Sequence, residues 1–240
     1  MTSSKKLNRW EESHERSEND ILYPQVEVVK FLNRYITKKL DYSGGRRELI
    51  EANKHNKIRC LDFGSGFGVH SMLCEEFGLE AYGVDISNIA INKAKFNAKT
   101  RGFDELSDRF IILHPDKPKL PFEDDFFDLS IAESCLDSMY FEIAKDNYKE
   151  IKRVTKRFIY FSLIGFDSLS QEEFENKDVI VSTKHEYGTI QSYYNLNRIK
   201  LLLEDDFHKL VYLVKTNNFS VLDNKGNIAC RFYGVIDFNS

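Results

Sequence analysis

The sequence predicts an α/β protein: a doubly wound, mostly parallel sheet of seven strands with an antiparallel C-terminal hairpin and an N-terminal helical cap. Three observations carry this expectation. Short apolar runs alternate with helix-length amphipathic stretches between residues 58 and 163, the pattern of a parallel sheet crossed by helices. The first run ends in a turn with glycine at alternate positions, Gly64, Gly66 and Gly68, where the chain can pass close under a ligand because glycine has no side chain. The second run ends on a carboxylate, Asp85, about 20 residues on, placed to accept hydrogen bonds from a ribose.

With 240 residues, 42% of them hydrophobic, the chain can bury a core of its own. We expect a single domain over residues 1–240: a helical cap at 1–55, a cofactor-binding core at 56–165, a pocket-covering excursion at 166–195, and a helix with a hairpin at 196–240. The net charge of -4 and the lack of a long Lys/Arg run remove the electrostatic footprint of a nucleic-acid binder. The first 20 residues are hydrophilic and no apolar run approaches 18, so neither a signal peptide nor a membrane span is expected and the expected setting is cytoplasmic. The cysteines Cys60, Cys74, Cys135 and Cys230 are scattered, which argues against a disulfide framework and a zinc site. A monomer or homodimer is expected.

In chain order, Trp10 is the only aromatic in a polar opening arm, which we read as a short helix docked by its ring or a loose terminus. Apolar residues near helical spacing from Val26 to Leu40, with Pro24 near the start, predict a helix over 21–40. Residues 41–57, with Gly44-Gly45, read as a turn, a short helix and a polar approach. Strands are predicted at 58–63, 81–85, 110–113, 127–132 and 157–163, with helices at 68–77, 89–101 and 140–154. Ser87 or Asn88 is placed to cap the second of these helices. Between the third and fourth strands lies a loop with the core Leu120-Pro121-Phe122. After a polar stretch at 165–188, Asn195 caps a helix at 196–203. Strands at 209–215 and 228–238, joined by a turn at 223–226, form the hairpin.

Leu61-Asp62-Phe63-Gly64-Ser65-Gly66-Phe67-Gly68, then Tyr82-Gly83-Val84-Asp85-Ile86-Ser87, then Leu120-Pro121-Phe122 with Phe127-Asp128 resemble, in that order, the motifs of the class I S-adenosylmethionine-dependent methyltransferases. The resemblance covers residues 55–165 and extends to the hairpin by topology. It implies S-adenosyl-L-methionine as cofactor. The donor carries a sulfonium and an amino acid rather than a pyrophosphate, so its site needs a close backbone, an acid for the ribose, and carboxylate or carbonyl groups near the cation. A dinucleotide fingerprint wants its third glycine where Val69 stands, which ranks that reading lower.

The resemblance assigns Asp62, Gly64, Ser65, Gly66, Asp85, Ile86, Asp116 and Glu133 to the cofactor. At Asp116 the family's usual Gly-Asp is Pro115-Asp116. Asp137 is expected to face the methyl acceptor, and His185 is the candidate base for an acceptor hydroxyl; a solvated loop histidine is the plainer reading. Tyr23, Gln191, Tyr193 and Tyr194 are expected on the acceptor side. No metal is expected, and Cys135 reads as a small pocket wall rather than a nucleophile. The expected reaction is O-methylation of a small molecule of sugar or glycan-precursor type. The alternatives are N-methylation of a small amine and a module that binds the cofactor without turnover.

Overall fold

The computed structural model describes residues 3–16, 23–39, 47–49, 58–115, 119–165, 178–184, 186–219 and 227–240. Helix α1 is Ser3–Glu15 and α2 is Val26–Phe31, which continues as one π-helical turn, Leu32–Ile36. Strands β1, Thr37–Lys39, and β2, Arg47–Leu49, pair antiparallel beside it. The core follows as β3 (Arg59–Phe63), α3 (Val69–Glu76), β4 (Glu80–Asp85), α4 (Asn88–Thr100), α5 (Asp104–Ser107) and β5 (Phe110–Ile112). It continues with β6 (Phe127–Ala132), α6 (Phe141–Val154) and β7 (Thr155–Ile164). Strands β8 (Asp178–Ile180) and β9 (Ile190–Ser192) form a small ladder, then come α7 (Leu196–Leu203), β10 (Leu210–Phe219) and β11 (Asn227–Asp237).

Seven strands form one sheet in the order β10-β11-β7-β6-β3-β4-β5. The five inner and far-side strands, β3 to β7, run parallel, whereas β11 pairs antiparallel with both β7 and β10. From β3 the chain steps outward to β4 and β5, then returns past β3 to β6 and β7. The two crossovers therefore leave in opposite directions and open a crevice at the carboxyl ends of β3, β4 and β6.

Both faces of the sheet are covered, and the alternation of side chains decides which residue serves which face. Along β7, Phe158 and Tyr160 pack with Phe31, Leu32 and Met72 on one face. Ile159, Phe161 and Leu163 pack with Tyr148, Ile151 and Ile199 on the other. The caps follow simple chemistry: Ser87 Oγ accepts from the Ala90 amide to start α4, and Asn195 accepts from the Arg198 amide to start α7. Among the described residues no helix is long and apolar enough to cross a membrane.

Three local expectations are corrected. The helix predicted over 21–40 ends at Ile36, because Thr37–Lys39 turn extended to pair with Arg47–Leu49. That pairing also replaces, at 47–49, the short helix expected there; the rest of 41–57 lies outside the described residues. The strand expected from 157 starts at Thr155, directly on the end of α6. Within the excursion, 178–180 and 190–192 are strands, while 166–177 lies outside the described residues, as does the turn at 223–226.

The Leu-Pro-Phe loop is fastened by Arg153 together with Glu150, which accepts from the Leu120 amide (2.9 Å). Arg153 donates to the carbonyls of Leu120 (3.1 Å) and Phe122 (3.0 Å), and to the carboxylates of Asp124 (2.7 Å) and Glu150 (2.8 Å). Behind it, Phe122, Phe126 and Phe127 surround the Tyr82 ring at 5.5–5.9 Å. Replacing Arg153 by Met leaves two carbonyls without their donor. We expect Arg153→Met to lower the unfolding free energy in urea by about 2 kcal/mol, with Arg153→Lys intermediate.

Candidate functional site

The crevice holds a cleft of ≈ 540 Å³, within the range of small-molecule sites. Its floor is the turn after β3. The amides of Gly64 and Ser65 both donate to the Val84 carbonyl (2.9 and 3.0 Å), and the Gly68 amide donates to the Ser65 carbonyl (2.8 Å). Gly64 has φ 73 and a Cβ there would lie 2.3 Å from Cys135 Sγ, so only glycine lets the turn rest on the loop after β6. Gly66 has φ 51, and a Cβ on it would meet nothing within 4 Å. Its bare face is the cradle a ligand would fill.

Asp85 ends β4 in this cleft. Its Oδ2 accepts from the Gly66 amide (3.0 Å) and its Oδ1 from the Ser87 amide (2.9 Å). Burial pushes its carboxyl above the usual range, while the Ser87 amide, His14 and the Gly66 amide act the other way. Each carboxylate oxygen has lone pairs beyond these bonds. Ser65 Oγ is buried in the same wall with no hydrogen-bond partner among the described residues. A backbone cradle and an acid with spare lone pairs fit the adenosyl group of S-adenosyl-L-methionine.

Helix α1 covers the cleft. The Glu11 carboxylate accepts from Ser87 Oγ (2.9 Å) and from the amides of Asn88 (2.8 Å) and Ile89 (3.1 Å), a second cap on α4 from 76 residues away. Lys93 Nζ donates to the His14 carbonyl (2.9 Å), and the His14 ring meets Phe67 at 5.1 Å. Trp10 and His14 thereby line the cleft above the glycine turn. Its outer part is built by Tyr23, His70, Met139, Ile143, Asp146 and Asn147. His70 Nε2 accepts from the Gln25 amide (3.1 Å), which ties the segment before α2 to the cleft.

The structure brings Gly64, Ser65, Gly66, Asp85, Ile86, Glu133 and Tyr23 to this cleft. It places Asp62 beneath the turn, where burial raises its carboxyl against the pull of His70 and Ser71; Ser71 Oγ donates to it at 2.6 Å. Asp137 is 3% exposed and turns away from the cleft, because its carboxylate accepts from the Ile164 amide (2.6 Å) and Arg231 (3.1 Å). Gln191, Tyr193 and Tyr194 also stand off the cleft. Tyr193 donates to Gln191 (3.1 Å), and Tyr194, fully buried, donates to the Leu136 carbonyl (3.2 Å). Gly188, Thr189 and Ile190 from the same excursion line the cleft instead. Asp116 and His185 lie outside the described residues.

Glu133 closes the far end. It is 8% exposed, and its carboxylate accepts from Tyr160 OH (2.7 Å) and Ser134 Oγ (3.0 Å). Sequence reading missed Glu11, His14, Tyr160 and Arg231. Their partners lie far along the chain, and the one local signal was the glutamate of the N-terminal arm one place after Trp10.

A family model described as a methyltransferase domain matches residues 54–213. The sterol 4-C-methyltransferase strm-1 of Caenorhabditis elegans is 31% identical over 153 residues, 62% of this chain and 41% of that protein. An uncharacterized protein of Haemophilus influenzae is 34% identical over 84 residues, 35% of this chain and 32% of that protein. The chain thus spans less than half the length of these two curated relatives. A solved S-adenosylmethionine-dependent methyltransferase of Methanosarcina mazei superposes with a TM-score of 0.60 at 21% identity, over 76% of this chain and 93% of that one. Another, from Anabaena variabilis, gives 0.59 at 16% identity over 96% and 94%. At these identities the likeness to solved structures shows the fold.

The two glycines separate stability from binding. Gly64→Ala should be destabilised by about 2 kcal/mol or more, since the new methyl overlaps Cys135. Gly66→Ala should cost about 1 kcal/mol for its left-handed backbone, yet lose most affinity for S-adenosyl-L-methionine. Urea unfolding and calorimetry on both variants check the contrast.

Proposed function

The chain belongs to the methyltransferase-domain family, whose cofactor is S-adenosyl-L-methionine, and we propose that it methylates a hydroxyl of a small molecule of sugar or glycan-precursor type. The observation that carries this reading is the outer cleft. There Trp10 and Tyr23 line the cleft together with Gln25, Asp146 and Asn147. Aromatic faces take the apolar C–H side of a sugar ring, and carboxylate and amide groups take its hydroxyls.

When bound, the cofactor supplies a methyl group on a sulfonium, ready for direct displacement. The protein holds and orients: Asp85 and Ser65 fix the nucleoside, the Gly64–Gly66 backbone lets it sit low, and α1 with Trp10 and His14 excludes water. A hydroxyl acceptor must also give up its proton. We assign that proton to His185, the histidine of the polar excursion, on sequence grounds.

A second reading is methyl transfer to a sterol-like lipid. It is favoured by the similarity to a sterol 4-C-methyltransferase and by the apolar side chains of Met139, Ile143 and Ile190 in the cleft.

Incubation with methyl-labelled cofactor and a panel of free and nucleotide-linked sugars, phenols, amines and sterols decides between them. Label on a sugar hydroxyl is expected; label only on sterols or amines would overturn the leading reading, and cofactor binding without transfer to any member would favour a non-catalytic module. Independently, Asp85→Ala should weaken S-adenosyl-L-methionine binding by about ten-fold or more, since hydrogen bonds to a charged group contribute about 1.5 to 3 kcal/mol. An unchanged dissociation constant in calorimetry would sink the ribose assignment.

A further inference from the structure

Glu133 combines burial with a charge that no direct ion pair meets. Its partners are two neutral hydroxyls, Tyr160 OH and Ser134 Oγ, and no ion pair to it occurs among the described residues. The neighbouring cation acts on Glu133 through space and through Ser134, and makes no direct bond to it. Arg231, from β11, donates through Nη1 to Asp137 Oδ2 (3.1 Å), Ser134 Oγ (2.9 Å) and Ser162 Oγ (3.1 Å). Asp137, itself 3% exposed, takes up that positive charge. A carboxylate buried without a cation is costly, and the open side of Glu133 is the cleft.

The strand order says what comes to it. Along the lip of the sheet stand Leu113 after β5, Asp85 at the end of β4, Gly64 after β3 and Glu133 after β6. A nucleoside whose ribose met Asp85 would lie along this lip, with Leu113 on one side of it and Gly64 and Glu133 on the other. In S-adenosyl-L-methionine the 5′ arm begins with the sulfonium.

We propose that Glu133 reads the charge of the cofactor, binding the sulfonium of S-adenosyl-L-methionine in preference to the neutral thioether of S-adenosyl-L-homocysteine, and that Arg231 is the positioning residue that holds it. The proposal rests on the cofactor and is independent of the acceptor. Arg231 acts through Ser134, whose φ of 52 is unusual for a residue with a side chain. The Ser134 amide donates to Ser162 Oγ (2.9 Å), and its hydroxyl lies between Arg231 and Glu133. These bonds keep Ser134 in that conformation and hold Glu133 at the wall of the cleft. After transfer the charge has left the cofactor, and the hold of Glu133 on the product relaxes.

Calorimetry with S-adenosyl-L-methionine and S-adenosyl-L-homocysteine tests this on the wild-type chain, Glu133→Gln and Arg231→Lys. Glu133→Gln keeps the shape and can still accept from both hydroxyls; it should weaken the sulfonium ligand by about ten-fold and the thioether by about two-fold or less. Arg231→Lys keeps the charge but replaces the planar guanidinium, whose Nη1 meets all three partners, by a compact ammonium on a different stem. It should lower the ratio of the two affinities by about three-fold, with thermal melting confirming the fold. Equal weakening of both ligands in Glu133→Gln, or an unchanged ratio, would overturn the charge reading; an unchanged ratio in Arg231→Lys would overturn the positioning role. A wild-type chain that binds neither ligand would remove the cofactor reading and this proposal together.

Discussion

The close approach of three chain segments at one point governs this structure: the glycine turn after β3 bears on the Val84 carbonyl of β4 and on Cys135 after β6. A side chain at Gly64 would push these segments apart, and the parallel strands could not keep their registers. With the turn seated, the Gly66 amide reaches the Asp85 carboxylate, which fixes where β4 stops and how the chain turns into α4. The start of α4 then presents Ser87 and two amides to Glu11. The cleft floor, its acid and its cover are consecutive results of one tight contact.

Much of this was legible in the sequence because it is local. The alternation of apolar runs and amphipathic stretches between residues 58 and 163 encodes each strand by its own side chains. Ser87 and Asn195 announce their helices within three residues. The helix over 21–40 was misjudged at its end because Val29, Leu32 and Ile36 keep helical spacing up to a point where pairing with Arg47–Leu49 wins. Pairing partners lie outside any window that periodicity reads.

The site divides in the same way. Gly64, Gly66 and Asp85 belong to a motif whose spacing is itself the geometry. Asp137 was expected at the cleft because it follows β6, but the turn of the loop depends on Arg231, 94 residues away. Gln191, Tyr193 and Tyr194 were expected there because they are polar and aromatic. Instead Ser192 lies against the start of α6, its hydroxyl donating to Asp178 while the other oxygen of Asp178 accepts from the Phe141 amide, and Tyr194 fills the core beneath. A polar residue near a cleft has two ways to satisfy its hydrogen bonds, and only the folded chain decides which is used.

The Glu11 cap has a consequence for the order in which the molecule is made. Helix α1 is synthesised before α4, but the amides it caps belong to residues 88 and 89, so its seat does not exist until α4 has been made. The cover of the cleft is translated before the segment it docks on, and waits for it. Any peptide fused ahead of Ser3 therefore begins on the helix that covers the cleft, and the placement of a purification tag becomes a choice about ligand access.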